Sequence, residues 1–229
     1  MTLLNMMALP KLLQLCSTML PVGAYSYSQG LEFAIEARLV RDATTAMEWI
    51  GDVLNSSQAS FEVPVMTRMH EAWQLNDIEK ALYWNTYFIA SRETAELRAE
   101  TLQMGYSMVR LLEQLDDIPQ LQISALHQQE EVAFPCAFAL AVSSWKISPL
   151  AAANAYLWSW LENQVSATLK AVPLGQVAGQ RILSELGNRL PILAEKSLAL
   201  NDNELSNFSP MLAIVSSQHE TQYSRLFRS

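Results

Sequence analysis

The sequence is short of glycine, cysteine, histidine and positive charge, and each shortage removes a class of protein. Its 229 residues hold 7 glycines, about half the usual ~7%. Tight turns between strands draw heavily on glycine, so the scarcity argues against a sheet protein. Two cysteines, Cys16 and Cys136, cannot build a disulfide framework, and a reducing compartment, the cytoplasm, is expected. Lys and Arg number 15 against 23 Asp and Glu, a net charge of −8. Nucleic-acid binding needs concentrated cations to neutralise phosphates, so it is excluded. Long apolar runs are missing as well. The Leu- and Met-rich stretch from Met1 to Leu20 lacks a basic flank and is broken by Pro10 and Lys11. No other segment reaches the ~20 residues a membrane span requires, so no membrane association is expected.

The usual catalytic signatures are absent too. His70, His127 and His219 lie far apart, and no Cys-x-x-Cys or His-x-x-x-His pair occurs. That spacing does not make a structural zinc site; it leaves only one assembled from distant residues or across a subunit interface. There is no phosphate-binding P-loop, no dinucleotide fingerprint and no nucleophile elbow. Helical isoprenoid enzymes hold magnesium diphosphate with Asp-rich motifs, but Asp116-Asp117 is the single adjacent Asp pair and no third carboxylate follows. A magnesium cluster needs several oxygen ligands, so the pair reads as a solvated helix end before Pro119. Residues 111–145 carry five acids and no Lys or Arg, which suggests an exposed acidic surface. Neither a cofactor nor a catalytic group is expected.

What remains is helical material. Half the residues are apolar and 17% are charged, enough for a core at a size where ~70% of the chain's surface is buried on folding. Leu, Ala, Met, Gln and Glu, all good helix formers, dominate. The expectation is an all-α, single-domain bundle of about ten helices over residues 1–215, followed by a C-terminal tail, 216–229. Thr45 with Glu48 and Asn76 with Glu79 read as capping boxes. Ser148-Pro149 and Ser209-Pro210 read as helix starts. Between Arg92 and Leu115, one face collects Leu97, Thr101, Met104, Met108, Leu111 and Leu115, leaving Glu93, Glu96, Arg98, Glu100 and Arg110 to the others. Gly105, at the edge of that face, costs about 1 kcal/mol relative to Ala and implies close approach of a neighbouring helix. Pro149 to Lys170 is apolar nearly all round, as a central helix or one shared with a second subunit would be.

Three stretches stand apart. Residues 20–32 pack Pro21, Gly23, Tyr25, Tyr27, Ser28 and Gly30 between two helices, with Ser26 or Ser28 as a cap for the second. Residues 169–181 form a corner in which Lys170 suits a helix C-terminus, Pro173 ends that helix or begins the next, and Gly175 and Gly179 open one face beside Gln176 and Gln180. Residues 216–229 place Tyr223, Leu226 and Phe227 among Arg225 and Arg228 where chain ends are usually polar. Tyr and Arg are enriched at interface hot spots, so this tail reads as one inserted into a partner.

These stretches resemble the UreF family of urease accessory proteins. The likeness rests on Pro21, Gly23, Ser28, Gly30, Leu31 and Glu32; on Ser91-Arg92-Glu93-Thr94, Glu96-Leu97-Arg98 and Met104-Gly105; on Lys170, Pro173, Leu174, Gly175 and Gln176; and on His219-Glu220 with Tyr223 to Ser229. The resemblance implies a non-catalytic helical scaffold, usually dimeric. Such a scaffold joins a UreD- or UreH-type subunit and the GTPase UreG on apo-urease and couples GTP hydrolysis to nickel delivery. By the same resemblance Tyr223, Ser224, Arg225, Leu226, Phe227 and Arg228 contact the UreD/UreH-type subunit, the tail ordering on binding, while Lys170 and Gln176 face or communicate with UreG. Pro21, Gly23, Tyr25, Ser28, Gly30 and Glu32 complete the partner-binding set. An isoprenoid-type lyase and a helical regulator of some other GTPase are the competing readings.

Overall fold

The computed structural model describes residues 3–229, with side chains described from residue 8 onward. Twelve α-helices follow one another: α1 (Leu3–Cys16), α2 (Leu31–Glu36), α3 (Ala43–Val53), α4 (Val63–Gln74), α5 (Ile78–Ala90), α6 (Ala95–Leu112), α7 (Gln120–His127), α8 (Phe134–Ser144), α9 (Pro149–Ala171), α10 (Gln176–Gly187), α11 (Leu190–Ala199) and α12 (Pro210–His219). A π-helical stretch, Leu54–Glu62, joins α3 to α4 without a break. Among the described residues there is no strand, so the all-α expectation holds.

The core is built on α4, α8 and α9. Every residue of α8 from Pro135 to Val142 is buried. Three of them, Ala137, Ala139 and Ala141, are small enough for α4 and α6 to pack closely on either side. The acid-rich stretch is therefore surface only as far as Glu131, and its second half is core. Around α9 lie α1, α2, α4, α10 and α11, as its near-uniform apolarity predicts. Trp158 keeps 37% of its surface exposed. Of its three amides, the half-exposed Asn154 donates to Leu150 O at 2.8 Å and Asn163 to Tyr27 O at 3.0 Å. The buried Gln164 Nε2 has no partner.

Helix starts differ in detail from the sequence pattern. Asp42, not Thr45, caps α3: its carboxylate accepts from Thr45 N at 2.9 Å while the Thr45 hydroxyl accepts from Asp42 N at 3.1 Å. Asp77, not Asn76, caps α5, because Asn76 takes the left-handed conformation that turns the chain. Ser148 caps α9 as expected, accepting from Ala151 N at 3.4 Å. Ser209 precedes α12, but its hydroxyl meets Ser56 Oγ at 2.9 Å and caps nothing.

On α6 the inward face carries Leu97, Thr101, Met104 and Met108 and ends at Leu112, since the helix stops there. Leu111 and Leu115 are half-buried. Glu100, assigned by spacing to an outer face, is buried among them. The close approach at Gly105 is real, but the neighbour is not a helix. A Cβ there would run into the Val132 carbonyl of the segment entering α8.

Candidate functional site: the cradle of the tail

After α12 the chain turns back and lays residues 225–229 across α2, α6 and the loop before α2. The Arg228 amide donates to Ser26 O at 2.8 Å. The Ser28 amide and hydroxyl both donate to Ser229 O, at 2.8 and 2.5 Å. Ser28 Oγ also accepts from Glu32 N at 3.3 Å, so it serves as a distant cap for α2. Gly30, at φ +76°, leaves no room for a side chain: a Cβ would come within 2.8 Å of Ser216 N on α12. The glycine there lets α12 lie against the start of α2.

Two carboxylates hold the tail's backbone and charges. Glu32 accepts the amides of Leu226 and Phe227 at 2.7 and 2.9 Å. Glu96 takes Arg225 Nη1 at 2.7 Å. Between them sits His219, fully buried, with Nδ1 at 2.6 Å from Glu96 and Nε2 at 3.2 Å from Glu32. One turn along α6, Glu100 accepts from Ser229 Oγ and from Gln29 Nε2, both at 2.8 Å. Burial pushes the Glu100 carboxyl up to about 7, against the lowering effect of these two donors.

Behind Glu100 lies a second charge cluster. Arg92 Nη1 donates to Glu62 at 2.7 Å, and the Tyr156 hydroxyl donates to the same carboxylate at 2.9 Å. The Arg92 guanidinium lies 4.2 Å from the Phe88 ring centre and 5.7 Å from that of Phe61. Burial, then the Glu62 charge, raises the Tyr156 phenol well above its ordinary range. A cavity of about 120 Å³ opens between this cluster and the segment 15–25, with Cys16, Tyr25 and Trp160 among its walls. Burial raises the Cys16 thiol, so it is not a ready nucleophile.

The structure thus brings the three sequence-predicted stretches to one place. Loop 20–32 and the tail are joined by hydrogen bonds, and Lys170, in the last turn of α9, sets its ammonium 5.5 Å from the Phe227 ring centre. Within the set, Ser28, Gly30, Glu32 and Phe227 face inward. Tyr223, Ser224, Arg225, Leu226, Arg228, Lys170, Gln176, Pro21 and Tyr25 are exposed, and Gly23 is half-buried at φ +77°. Gln176 begins α10 without touching the tail's hydrogen bonds. Gly179, four residues on, receives Leu169 so closely that a Cβ would lie 2.7 Å from its Cδ1; Gly175 meets nothing and lies before the helix.

The tail's expected order-on-binding is not what the isolated chain displays: it docks on its own core, because Glu32, Glu100 and Ser28 supply partners for its backbone and its last residue. Sequence reasoning missed Glu62, Glu100, Gln29 and Tyr156. Glu100 had a signal: it lies three residues after Leu97 and four before Met104, on the apolar face itself. Among the described residues, no group of three or more His, Cys, Asp and Glu is arranged to hold a metal ion. His70 is buried beside Gln74, its ring pulled down to about 4 by burial, and His127 pairs with Glu113. No helix there is long and apolar enough to cross a membrane.

The sequence profile of the UreF family matches residues 40–187. The chain is 54% identical over 227 residues to the urease accessory protein UreF of Azoarcus sp., covering 98% of this chain and 97% of that one. It is 51% identical over 222 residues to the UreF protein of Dechloromonas aromatica, covering 96% and 97%. To that of Methylobacillus flagellatus it is 50% identical over 222 residues, covering 97% and 98%. With half its residues shared along nearly its whole length, the chain belongs to the UreF family of urease accessory proteins.

Proposed function

We propose that this protein is a non-catalytic cytoplasmic scaffold, acting as a homodimer, that joins a UreD/UreH-type subunit and the GTPase UreG on apo-urease. It couples GTP hydrolysis by UreG to nickel delivery, with nickel as cargo. Residues 216–229, the last turn of α12 and the tail, are the partner-binding element.

The observation that carries this reading is the shape of the docked tail. Its inward side is fully engaged, while Tyr223 is completely exposed and Leu226 is 71% exposed. Large apolar side chains held outward on a fixed backbone make a pre-organised hot spot, with little ordering entropy left to lose on binding. Lys170 and Arg228 flank that surface, and among the described residues neither is paired with a carboxylate. Lys170 also touches the tail through Phe227, which supports a communicating role between this surface and a GTPase docked toward Gln176.

The test is co-purification of the UreD/UreH-type subunit with the Tyr223→Ala/Leu226→Ala chain. Loss of the complex with the helical spectrum unchanged is expected. Undiminished co-purification contradicts the assignment. For Lys170→Ala, retained complex with poor nickel loading is expected, and normal loading refutes the communicating role.

A further inference from the structure

The cavity of about 120 Å³ between α9 and the segment 15–25 is lined largely by apolar side chains, Leu15, Leu20, Val22, Leu97, Met104 and Phe134 among them. Its buried polar groups are engaged with one another. Glu62 accepts from Arg92 Nη1 and from the Tyr156 hydroxyl. Glu100 accepts from Gln29 Nε2 and Ser229 Oγ, and Gln29 Oε1 accepts from Trp160 Nε1 at 2.8 Å. One donor is left over. Among these walls Arg92 Nε is the one buried side-chain nitrogen or oxygen without a partner, on a side chain only 5% exposed. An unmade hydrogen bond from a buried, charged donor is costly, so the site calls for one acceptor.

Size and charge narrow the class. A cavity of about 150 Å³ lined by Leu, Ile and Phe stays dry and takes benzene, so this one suits a molecule of about one ring. Water fits poorly, since it needs about two to four polar partners and the buried ones here are already engaged. Arg92 is the single cationic side chain of the walls, and Glu62 neutralises it. Burial holds the Glu100 carboxyl up to about 7 and raises that of Glu162, on the α9 wall. An anion would meet these carboxylates with no free cation to pair with.

We propose that this cavity is a binding site for a small neutral molecule, about one aromatic ring in size, that carries one carbonyl or ether oxygen to accept from Arg92 Nε.

The site reaches the tail. Glu100 is a wall of the cavity and accepts from Ser229 Oγ, and Gln29, its other donor, lies in the loop across which the tail is laid. An occupant therefore leans on the same side chains that hold the chain's last residue. The walls come from this chain alone, so the site does not depend on which partner binds the tail.

Titration calorimetry of the isolated full chain tests this with three single-ring probes. Acetophenone has the oxygen, ethylbenzene has a similar outline without it, and benzoate has the charge. Acetophenone should bind one-to-one with a Kd of about 1 mM or tighter. It should bind at least about tenfold more tightly than ethylbenzene, as one hydrogen bond to a charged donor implies, and more tightly than benzoate. Cys16 lines the cavity while Cys136 is fully buried, so alkylation of Cys16 by iodoacetamide should slow as acetophenone saturates. Ala24→Phe, which adds bulk to one wall, should abolish binding with the thermal melt unchanged. Arg92→Lys keeps a charge beside Glu62 but removes the Nε donor, and should erase the preference for acetophenone over ethylbenzene. The first variant covers the case in which the second fails to fold. Heat absent for all three probes, which would leave water as the only occupant, overturns the proposal. So does binding that Ala24→Phe leaves intact, binding that does not slow Cys16 alkylation, or benzoate binding more tightly than acetophenone.

Discussion

Glu62 meets Arg92 at 2.7 Å inside the bundle, and Glu96 meets Arg225 at the same distance at its edge. In the first pair Glu62 ends the π-helical stretch and Arg92 lies in the short turn between α5 and α6, with the rings of Phe61 and Phe88 against the guanidinium and the Tyr156 hydroxyl on the carboxylate. The second ties down a segment without regular structure, whose one buried apolar anchor is Phe227. In the interior, then, packing holds the elements and the charges are satisfied as a condition of burial. At the edge packing is thin and the charges themselves hold the chain. Ion pairs of one length sit within a packed core in one place and tie down the chain's last residues in the other.

The sharpest break of that comparison is Arg92→Ala. It leaves Glu62 buried with Tyr156 alone, and losing one partner of a buried pair costs about 3–5 kcal/mol. Urea unfolding measures it; a loss under about 1 kcal/mol would mean that the inner pair is as dispensable as a surface one.

Next comes the pH dependence of Glu100, which lies between the two clusters. Its carboxyl is raised from 4.5 to about 7, with burial as the leading cause. The folded state therefore holds a proton that the unfolded state releases at lower pH. Stability is highest below the unfolded value and declines as pH rises from about 4.5 to 7, by about 3 kcal/mol in all. Unfolding curves across that window should show the decline in the unaltered chain and a flatter profile in Glu100→Gln.

A smaller effect is expected at Gly105. Alanine there forces the Val132–Ala133 segment away from α6, and overpacking of this kind costs about 1–3 kcal/mol. The shift should appear in the urea midpoint with an unchanged slope. Smallest of all is Tyr223→Ala/Leu226→Ala, which touches only the outward side of the tail. It should alter stability by no more than about 0.5 kcal/mol, a thermal melt indistinguishable from that of the unaltered chain.

The sequence foretold the fold more fully than the site. Glycine scarcity and the Leu97–Met108 spacing pointed to helices, and the unbroken apolarity of Pro149–Lys170 pointed to a central one. Local rules misplaced two caps: at α3 because Asp42 and Thr45 offer a capping box as good as Thr45 and Glu48, and at α5 by one residue because Asn76 turns the chain and leaves the cap to Asp77. The three candidate stretches were visible as departures from an otherwise plain composition. That they meet was not visible, because Glu32 and Leu226 are nearly two hundred residues apart and nothing local couples them. Nor was the inward turn of the tail: its aromatic and basic composition suits a partner's surface and its own core equally well. The choice is made by Glu32, Glu96 and His219, which regular periodicity does not mark.

Nickel bound per urease active site, after co-expression with the cognate urease operon, tests the central claim most directly. With the unaltered chain urease should fill; without the chain, or with Tyr223→Ala/Leu226→Ala in its place, the nickel content should collapse while urease itself accumulates normally. Urease that fills equally well with the altered chain would contradict the account, because the outward face of the tail would then have no part in maturation.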